Sequence, residues 1–394
     1  MNYIIPLTEI TPRDQPRVGG KGYALARLAQ HGFQTPLTYC LTVNAYNDYV
    51  GTTGLRERIF MELNRKDFKE MRWEEIWDAS LRIRNLFLTT PLPSPLQTEL
   101  ADFFRASLAD KNLVVRSSAP EEDSARASFA GLHESFVNVR GEEDFVHHVI
   151  LVWASLWSDA ALLYRQELGL DIEKSAMAVV VQELVVGQCS GVAFSRNPND
   201  ETQAVIEAVY GLNQGLVDGV VEPDRWLITR GTRRLVHNPP PVRPSCFRPE
   251  GDAVALVEMP PELAAAPPLS QEQVWQIYDM ALKAESAFGA PQDVEWTFDQ
   301  GTCYTLQSRP ITTVAADGQD QRPWYLSLRR SFENLKRLRR RLEEELLPAM
   351  TVQAEELQKQ DLSSLADADL AAEIERRHEI KAHWVAVYWR DFIP

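Results

Sequence analysis

At 394 residues, with 44% hydrophobic and 25% charged side chains, the chain exceeds the size at which one core stops growing, so two or more domains are expected. Its 56 acidic residues against 41 basic ones, a formal charge of −15, weigh against nucleic acid as a partner. No uninterrupted apolar run of about 18 residues offers a bilayer span. Met1-Asn2-Tyr3 lacks the basic-then-apolar pattern of a leader, so no membrane partner is expected and a cytoplasmic location is. Cys40, Cys189, Cys246 and Cys303 form no CxxC pair and read as core thiols.

In chain order, Gly19-Gly20-Lys21-Gly22 precedes Ala24, Leu25, Leu28 and Ala29, whose spacing predicts a helix ending near His31-Gly32. Gln34 to Val43 alternates as a strand, and Asn44 is a candidate cap for the next helix. Leu55 to Asp110 is mostly helical, interrupted by prolines between Thr89 and Pro95; Leu113-Val114-Val115 is a short buried strand delivering Arg116-Ser117-Ser118. Glu142 to Leu168 reads as a helix whose Val149, Val152, Trp153, Leu156 and Trp157 face a core.

Ala176 to Leu184, Gly191 to Ser195, Ala204 to Val209 and Arg225 to Thr229 then read as strands of a mixed or antiparallel sheet. Asn238 to Pro268 is proline-rich and expected to be irregular. Ser270 to Phe288 is helical again, and Asp293 to Ile311 is a hairpin around Asp299-Gln300-Gly301. Beyond Ala315 a linker leads to two helices, Leu326 to Gln360 and Asp367 to Trp389. Lys336 to Arg341 reads as a solvated helical face because Glu343, Glu344 and Glu345 follow.

Four clusters share a theme: they place glycines, cations or carboxylates where a nucleotide phosphate chain can sit. The glycine turn at Lys21 offers backbone N–H groups and a helix start to an anion, although a glycine turn beside a surface lysine is the bland alternative. It lacks P-loop spacing. Arg116 at a strand end suits a bidentate grip on phosphate, and Ser128-Phe129-Ala130-Gly131 with Ser135 suits a loop over it; a polar loop with a structural arginine fits equally. Gln182, Glu183, Leu184 and Val185 end an apolar strand whose backbone can pair with an adenine edge, unless the polar pair simply faces solvent.

The hairpin says most. If Phe298 pairs with Tyr304, alternation puts Glu295 opposite Gln307 and Asp293 opposite Arg309, all on one face. A carboxylate with an amide oxygen suits Mg²⁺ shared with phosphates, and Arg309 can neutralise a transferring phosphoryl group. A surface salt bridge is the alternative.

Six motifs occur in register: Gly19-Gly20-Lys21-Gly22, Val115-Arg116-Ser117-Ser118-Ala119, Ser128-Phe129-Ala130-Gly131, Ser190-Gly191-Val192-Ala193-Phe194, Gln292-Asp293-Val294-Glu295-Trp296 and Gln307-Ser308-Arg309-Pro310-Ile311-Thr312. Over roughly residues 4 to 313 the chain thereby resembles the N-terminal ATP-binding domain of the phosphoenolpyruvate synthase and pyruvate phosphate dikinase family, which includes rifampin phosphotransferase and phenylphosphate synthase. The resemblance implies an α/β (α+β), two-lobed ATP-grasp-like domain over 1–315, with lobes of roughly 1–175 and 176–315, and a linker and helical segment over 316–394. It implies ATP and Mg²⁺ as cofactors. Lys21 and Arg116 would hold phosphates, Gly131 and Ser135 the loop over them, and Gln182 to Val185 the adenine; Glu295 and Gln307 would hold Mg²⁺, and Arg309, with Arg116 and Glu295, would act in catalysis.

In that family the phosphoryl group passes first to a histidine on a separate swivelling domain, then to pyruvate or a hydroxyl compound, so a phosphohistidine-bearing domain or subunit is the expected partner. None of the seven histidines here sits in such a signature. The sequence is accordingly expected to be either a piece of a longer chain, which its ending favours, or the ATP-binding subunit of a two-protein system. Gly211-Leu212-Asn213-Gln214 departs from the family's Gly-Leu-Gly-Glu, exchanging a carboxylate for an amide. Two other readings are an ATP-grasp ligase forming an acyl phosphate, and a nucleotide-binding regulatory or assembly subunit without turnover.

Overall fold

The computed structural model describes residues 3–120, 133–170, 172, 175–198, 200–237, 241–311, 339–360, 362 and 365–387. The chain divides into two compact units, Met1–Leu216 with Val220–Thr313, and Val217–Gly219 with Val314–Pro394. The larger unit is α+β, built on two antiparallel sheets.

The first sheet runs in the order β1 (Ile4–Pro6), β2 (Thr38–Leu41), β5 (Ala178–Glu183), β3 (Leu113–Ser118), β4 (Ser135–Val139). β5, assigned from sequence to the second lobe, is therefore the central strand of the first sheet. Val179, Val180 and Val181 explain this: all three are buried, as a central strand covered on both faces requires. Against the sheet lie α2 (Val43–Thr52), α3 (Leu55–Leu63), α4 (Trp73–Thr89), α5 (Ser94–Ser107), α6 (Glu142–Ser155) and α7 (Asp159–Leu168). Asn44 falls inside α2, whose N-cap position is Thr42.

Trp153 is the hub of this core, with its ring centroid 5.4 Å from that of Tyr49 and 6.1 Å from that of Tyr46. An 18-residue window within residues 142–168 reaches a mean hydropathy of 1.4, enough by length and composition for a membrane span. The structure instead breaks them at Ser158, whose hydroxyl accepts the Ala161 N–H at 3.2 Å and starts α7. Phe145, Val149, Val152, Trp153, Leu156 and Trp157 are all buried in the protein core.

The second sheet has the order β13 (Thr302–Pro310), β12 (Gln292–Asp299), β6 (Cys189–Phe194), β7 (Gln203–Tyr210), β8 (Asp224–Thr229), β9 (Arg234–His237). After β7 comes the short α8 (Gln214–Val217); α9 (Pro261–Ala264) and α10 (Gln271–Phe288) precede β12. Ser270 caps α10 in a reciprocal capping box with Gln273. Ala193, Ile206, Trp226, Trp296 and Phe298 pack one sheet face against Val274, Ile277, Tyr278 and Ala281 of α10. Because strand side chains alternate, the residues between them point to the opposite face.

The hairpin turn has Gln300 at φ 47° and Gly301 at φ 81°, as a two-residue turn with both central residues left-handed requires. Phe298 pairs with Cys303, one residue away from the expected Tyr304. A bulge between Glu295 and Trp296, opposite Leu306, takes up the difference, so Glu295 still meets Gln307 and Asp293 still meets Arg309.

The stretch expected to be irregular contains a ribbon, β10 (Ser245–Glu250) paired with β11 (Ala253–Glu258), as well as α9. Pro249 is tolerated there because a two-stranded ribbon leaves outward N–H positions that need no partner strand.

In the smaller unit a π-helical turn, Arg341–Leu346, runs into α11 (Leu347–Lys359), followed by α12 (Asp367–Val387). The Trp384 indole N–H donates to Gln353 Oε1 at 2.6 Å and Arg377 to the Leu357 carbonyl at 2.8 Å, which makes the two helices a hairpin. Of the run Lys336 to Arg341, Arg339, Arg340 and Arg341 are exposed, and the first two pair with Glu343 and Glu344; Lys336, Arg337 and Leu338 lie outside the described residues.

Candidate functional site

α1 (Gln15–Gln30) bends at Gly19, whose φ of 73° and non-helical ψ separate two helical pieces. A Cβ at Gly19 would stand 2.1 Å from the Ser118 carbonyl oxygen, so only glycine allows this helix to press on the end of β3. The Gly20 N–H donates to the Ala119 carbonyl at 3.1 Å, and the Gly22 N–H to Ser118 Oγ at 3.1 Å. These amides, expected to be open to an anion, are therefore engaged in docking helix to strand. Lys21 Nζ donates to the Ser117 carbonyl at 3.1 Å and to Ser117 Oγ at 3.2 Å, which fixes its ammonium beside the residue following Arg116.

Arg116 reaches from the first sheet to the second. Its Nη2 lies 3.3 Å from Glu295 Oε2, and its Nη1 lies 3.3 Å from Gln307 Oε1 and 3.4 Å from the Leu306 carbonyl. The bulge at Leu306 is what turns that carbonyl toward the guanidinium. Ser135, exposed, pairs with Arg116 across β3 and β4 and so shares its face. Arg309 Nε donates to Asp293 Oδ2 at 2.9 Å. Burial pushes the Asp293 carboxyl above its usual range, and Arg309 partly offsets this.

The same ladder row continues from Glu295 through Val192 to Glu207 and Arg225. Glu207 is 3% exposed and accepts from Arg225 Nε at 2.7 Å. Sequence patterning does not bring Glu207 into the site; its signal is a lone carboxylate inside the apolar run Ala204 to Val209. On this face Val192 and Val209 also pack with Leu216. Just before Leu216, Asn213 is buried with neither side-chain polar atom hydrogen-bonded, and Gln214 Oε1 is likewise buried without a partner.

The proposed base-binding strand end is different. Gln182 is buried and donates to Thr38 Oγ1 at 3.3 Å. The Glu183 carboxylate accepts from Lys111 at 2.8 Å and its N–H donates to the Leu37 carbonyl at 2.8 Å, while the Leu184 N–H donates to the Asn112 carbonyl at 2.7 Å. Val185 is half-buried and Val186 exposed. Gly131 lies outside the described residues. His133 is buried with Nδ1 3.3 Å from the Ser155 carbonyl, and burial lowers its pKa to about 3, as for a neutral structural histidine.

The donor set fits a hard divalent cation. A carboxylate oxygen and an amide oxygen already converge on a single guanidinium, each at 3.3 Å. Among the described residues no group of three or more His, Cys, Asp or Glu side chains gathers for a metal, so such an ion would need phosphate oxygens and water to complete its shell.

Residues 15–330 match the family model described as pyruvate phosphate dikinase, AMP/ATP-binding domain. A probable phosphoenolpyruvate synthase of Methanothermobacter thermautotrophicus is 33% identical over 320 residues, covering 80% of this chain and 46% of that protein. The phosphoenolpyruvate synthase of Aeropyrum pernix is 34% identical over 350 residues, covering 78% of this chain and 42% of that one. A rifampicin phosphotransferase of Bacillus cereus is 30% identical over 318 residues, covering 79% and 36%. The chain thus spans less than half the length of these relatives. With the six motifs, the two-sheet fold and the Arg116 bridge in place, this match means that the chain belongs to the pyruvate phosphate dikinase AMP/ATP-binding domain family.

Proposed function

We propose that this domain binds Mg²⁺ and ATP in the cleft between its sheets and donates a phosphoryl group to a histidine of a separate domain or subunit, for onward transfer to pyruvate or a hydroxyl acceptor. The observation that carries the reading is the reach of Arg116 across the cleft to Glu295 and Gln307. A guanidinium facing a carboxylate and an amide at a strand end is a phosphate grip that the ligand's own charge completes. Lys21, held beside Ser117, adds a second cation near the same phosphates. Glu295 and Gln307 would hold Mg²⁺, which when bound neutralises phosphate charge and orients the chain for in-line displacement.

Arg309 would face the γ-phosphoryl group as its bond to ADP breaks and its bond to the incoming imidazole nitrogen forms. Asp293 fixes the direction of that guanidinium through its bond to Nε. The phosphorus–oxygen bond to the leaving nucleotide breaks as the phosphorus–nitrogen bond forms, and the imidazole carries the group away. With a metal held by Glu295 and Gln307, Arg116 would be released to pair with phosphate oxygens. Adenine would lie near Val185, where the backbone beyond Leu184 continues past the pairs made with Asn112 and Leu37.

The test incubates the full chain with β- and γ-radiolabelled ATP and a histidine-bearing swivelling domain of the family. Label on the histidine domain, acid-labile as a phosphoramidate is, supports the reading. ATP bound without any transfer would favour a regulatory subunit, and transfer to a carboxylate substrate without a histidine domain would favour an acyl-phosphate ligase.

A further inference from the structure

Asn138 adopts φ 67°, a left-handed conformation that few residues other than glycine tolerate and asparagine tolerates best. It is 1% exposed. Across β4 and β3, Val137 pairs with Val114 and Val139 with Leu113, so Asn138 is the extra residue of a bulge and its side chain leaves the ladder. The amide then makes contacts in two directions. Its Oδ1 accepts from Asn112 Nδ2 at 3.1 Å and from Arg140 Nε at 3.3 Å, within the first sheet. Its Nδ2 donates to the carbonyls of Gly251 at 3.1 Å and Ala253 at 2.8 Å, which are the tip of the β10–β11 ribbon.

The base of that ribbon belongs to the second sheet. Gly211, at the end of β7, bridges to Phe247, whose carbonyl accepts the Leu212 N–H at 2.9 Å. Arg243, just before β10, donates from Nε and Nη2 to both oxygens of the buried Asp224 on β8, at 2.6 and 2.5 Å. The ribbon is thus a strap, rooted in one sheet and hooked by its tip onto the other.

Its position gives it work to do. On one side of the cleft the sheets are already joined: α1 packs with Val294 and Ala284, Arg27 donates to the Ala287 carbonyl at 2.7 Å, and the Thr305 N–H donates to the Gln34 carbonyl at 2.7 Å. β4 is the far edge of the first sheet, and the strap ties that edge. β4 also pairs with the strand of Arg116, three register positions from the bulge, and Arg116 must meet Glu295 and Gln307 on the other sheet.

We propose that Asn138 is a positioning residue: by hooking the β10–β11 strap it fixes the separation of the two sheets at the β4 edge, and with it the distance from Arg116 to Glu295 and Gln307. It touches neither phosphate nor nucleotide. The consequence for the phosphate grip rests on the function proposed above; the geometric claim does not.

Two variants separate this role from simple stability. Asn138→Gly keeps the left-handed backbone at lower strain but deletes the hook, and Asn138→Asp keeps the acceptor for Asn112 and Arg140 but loses both donors to the strap. Nitroxide labels at the exposed Glu143 on α6 and Glu272 on α10, in a chain also carrying Cys303→Ser, report the sheet separation by pulsed electron spin resonance. The expected result is a narrow distance distribution in the parent, broadened in both variants and narrowed again by Mg²⁺ with a non-hydrolysable ATP analogue. Affinity for that analogue, measured by calorimetry well below the melting temperature of each variant, where the folded fraction is unchanged, should fall about tenfold in both. An unchanged distribution in both variants overturns the proposal, as does an affinity loss that appears only in step with a lowered melting temperature. The distance measurement needs no turnover. A chain that never labels a histidine domain but shows the broadening would defeat the proposed function and leave the strap standing.

Discussion

The hairpin β12–β13 and the strand end Gln182–Val185 treat their polar side chains in opposite ways. The hairpin projects Glu295 and Gln307 across to Arg116 on the other sheet. The strand end ties Gln182 to Thr38 and Glu183 to Lys111, within its own sheet and its immediate surroundings. One region therefore offers a ligand charged groups that can change partner, whereas the other offers a rigid rim and, past Leu184, backbone alone. Recognition of phosphate and metal should reside in side chains, and recognition of the base in main chain and shape.

The sharpest way to break this contrast is at the hairpin. Glu295→Ala or Arg309→Ala should lower phosphoryl transfer by about a thousandfold, with nucleotide affinity changing far less, because their interactions are needed mainly as charge moves. Rapid-quench transfer assays alongside calorimetric titration will show it; equal loss in both quantities would place these residues in ground-state binding instead.

Next in size is the contact of α1 with the end of β3. Gly19→Ala would need φ 73° from an alanine and a Cβ 2.1 Å from the Ser118 oxygen, so urea unfolding should record a loss of about 3 kcal/mol. A loss no larger than that of an ordinary surface substitution would mean that α1 is not pinned to β3 as described.

His133 gives a pH-dependent test. Its pKa drops from 6.5 unfolded to about 3 folded, so the unfolded chain binds the extra proton between those values. Its contribution is fully present above pH 6.5 and should be lost at roughly 1.4 kcal/mol per pH unit as pH falls toward 3. Against the parent, His133→Gln should flatten the acid limb of a stability-versus-pH curve, and parallel curves would show that His133 is not buried neutral.

The smallest effect belongs to the rim. Glu183→Ala removes a partly exposed ion pair with Lys111 and should cost about 0.5 kcal/mol of stability, with nucleotide affinity changed less than about threefold. A larger affinity loss would return Glu183 to the binding site and erase the contrast between the two regions.

How much of this was legible in the sequence follows from where each residue's partners lie. Glu295, Gln307, Asp293 and Arg309 could be aligned from alternation and a turn because their mutual partners are only a hairpin apart. For Gln182 and Glu183 the side-chain partners Thr38 and Lys111 come from distant segments, so the sequence could not show them. The glycine turn signalled a special backbone correctly, but whether its amides face a ligand or a strand depends on the docking of Ser118, a hundred residues from Val18. The β10–β11 ribbon was hidden by its prolines, and Asn138 had no local signal at all, because its left-handed conformation is imposed by a mismatch between two strands.

The bulge at Leu306 sets a rule for altering this protein. Deleting Leu306 would remove the bulge yet leave Gln307 opposite Glu295 and Arg309 opposite Asp293, while taking from Arg116 the Leu306 carbonyl it contacts at 3.4 Å. The bulge thus serves the contact with Arg116, and the facing of Gln307 and Arg309 does not depend on it. Any graft or redesign of the hairpin has to keep the extra residue if it is to keep that carbonyl contact.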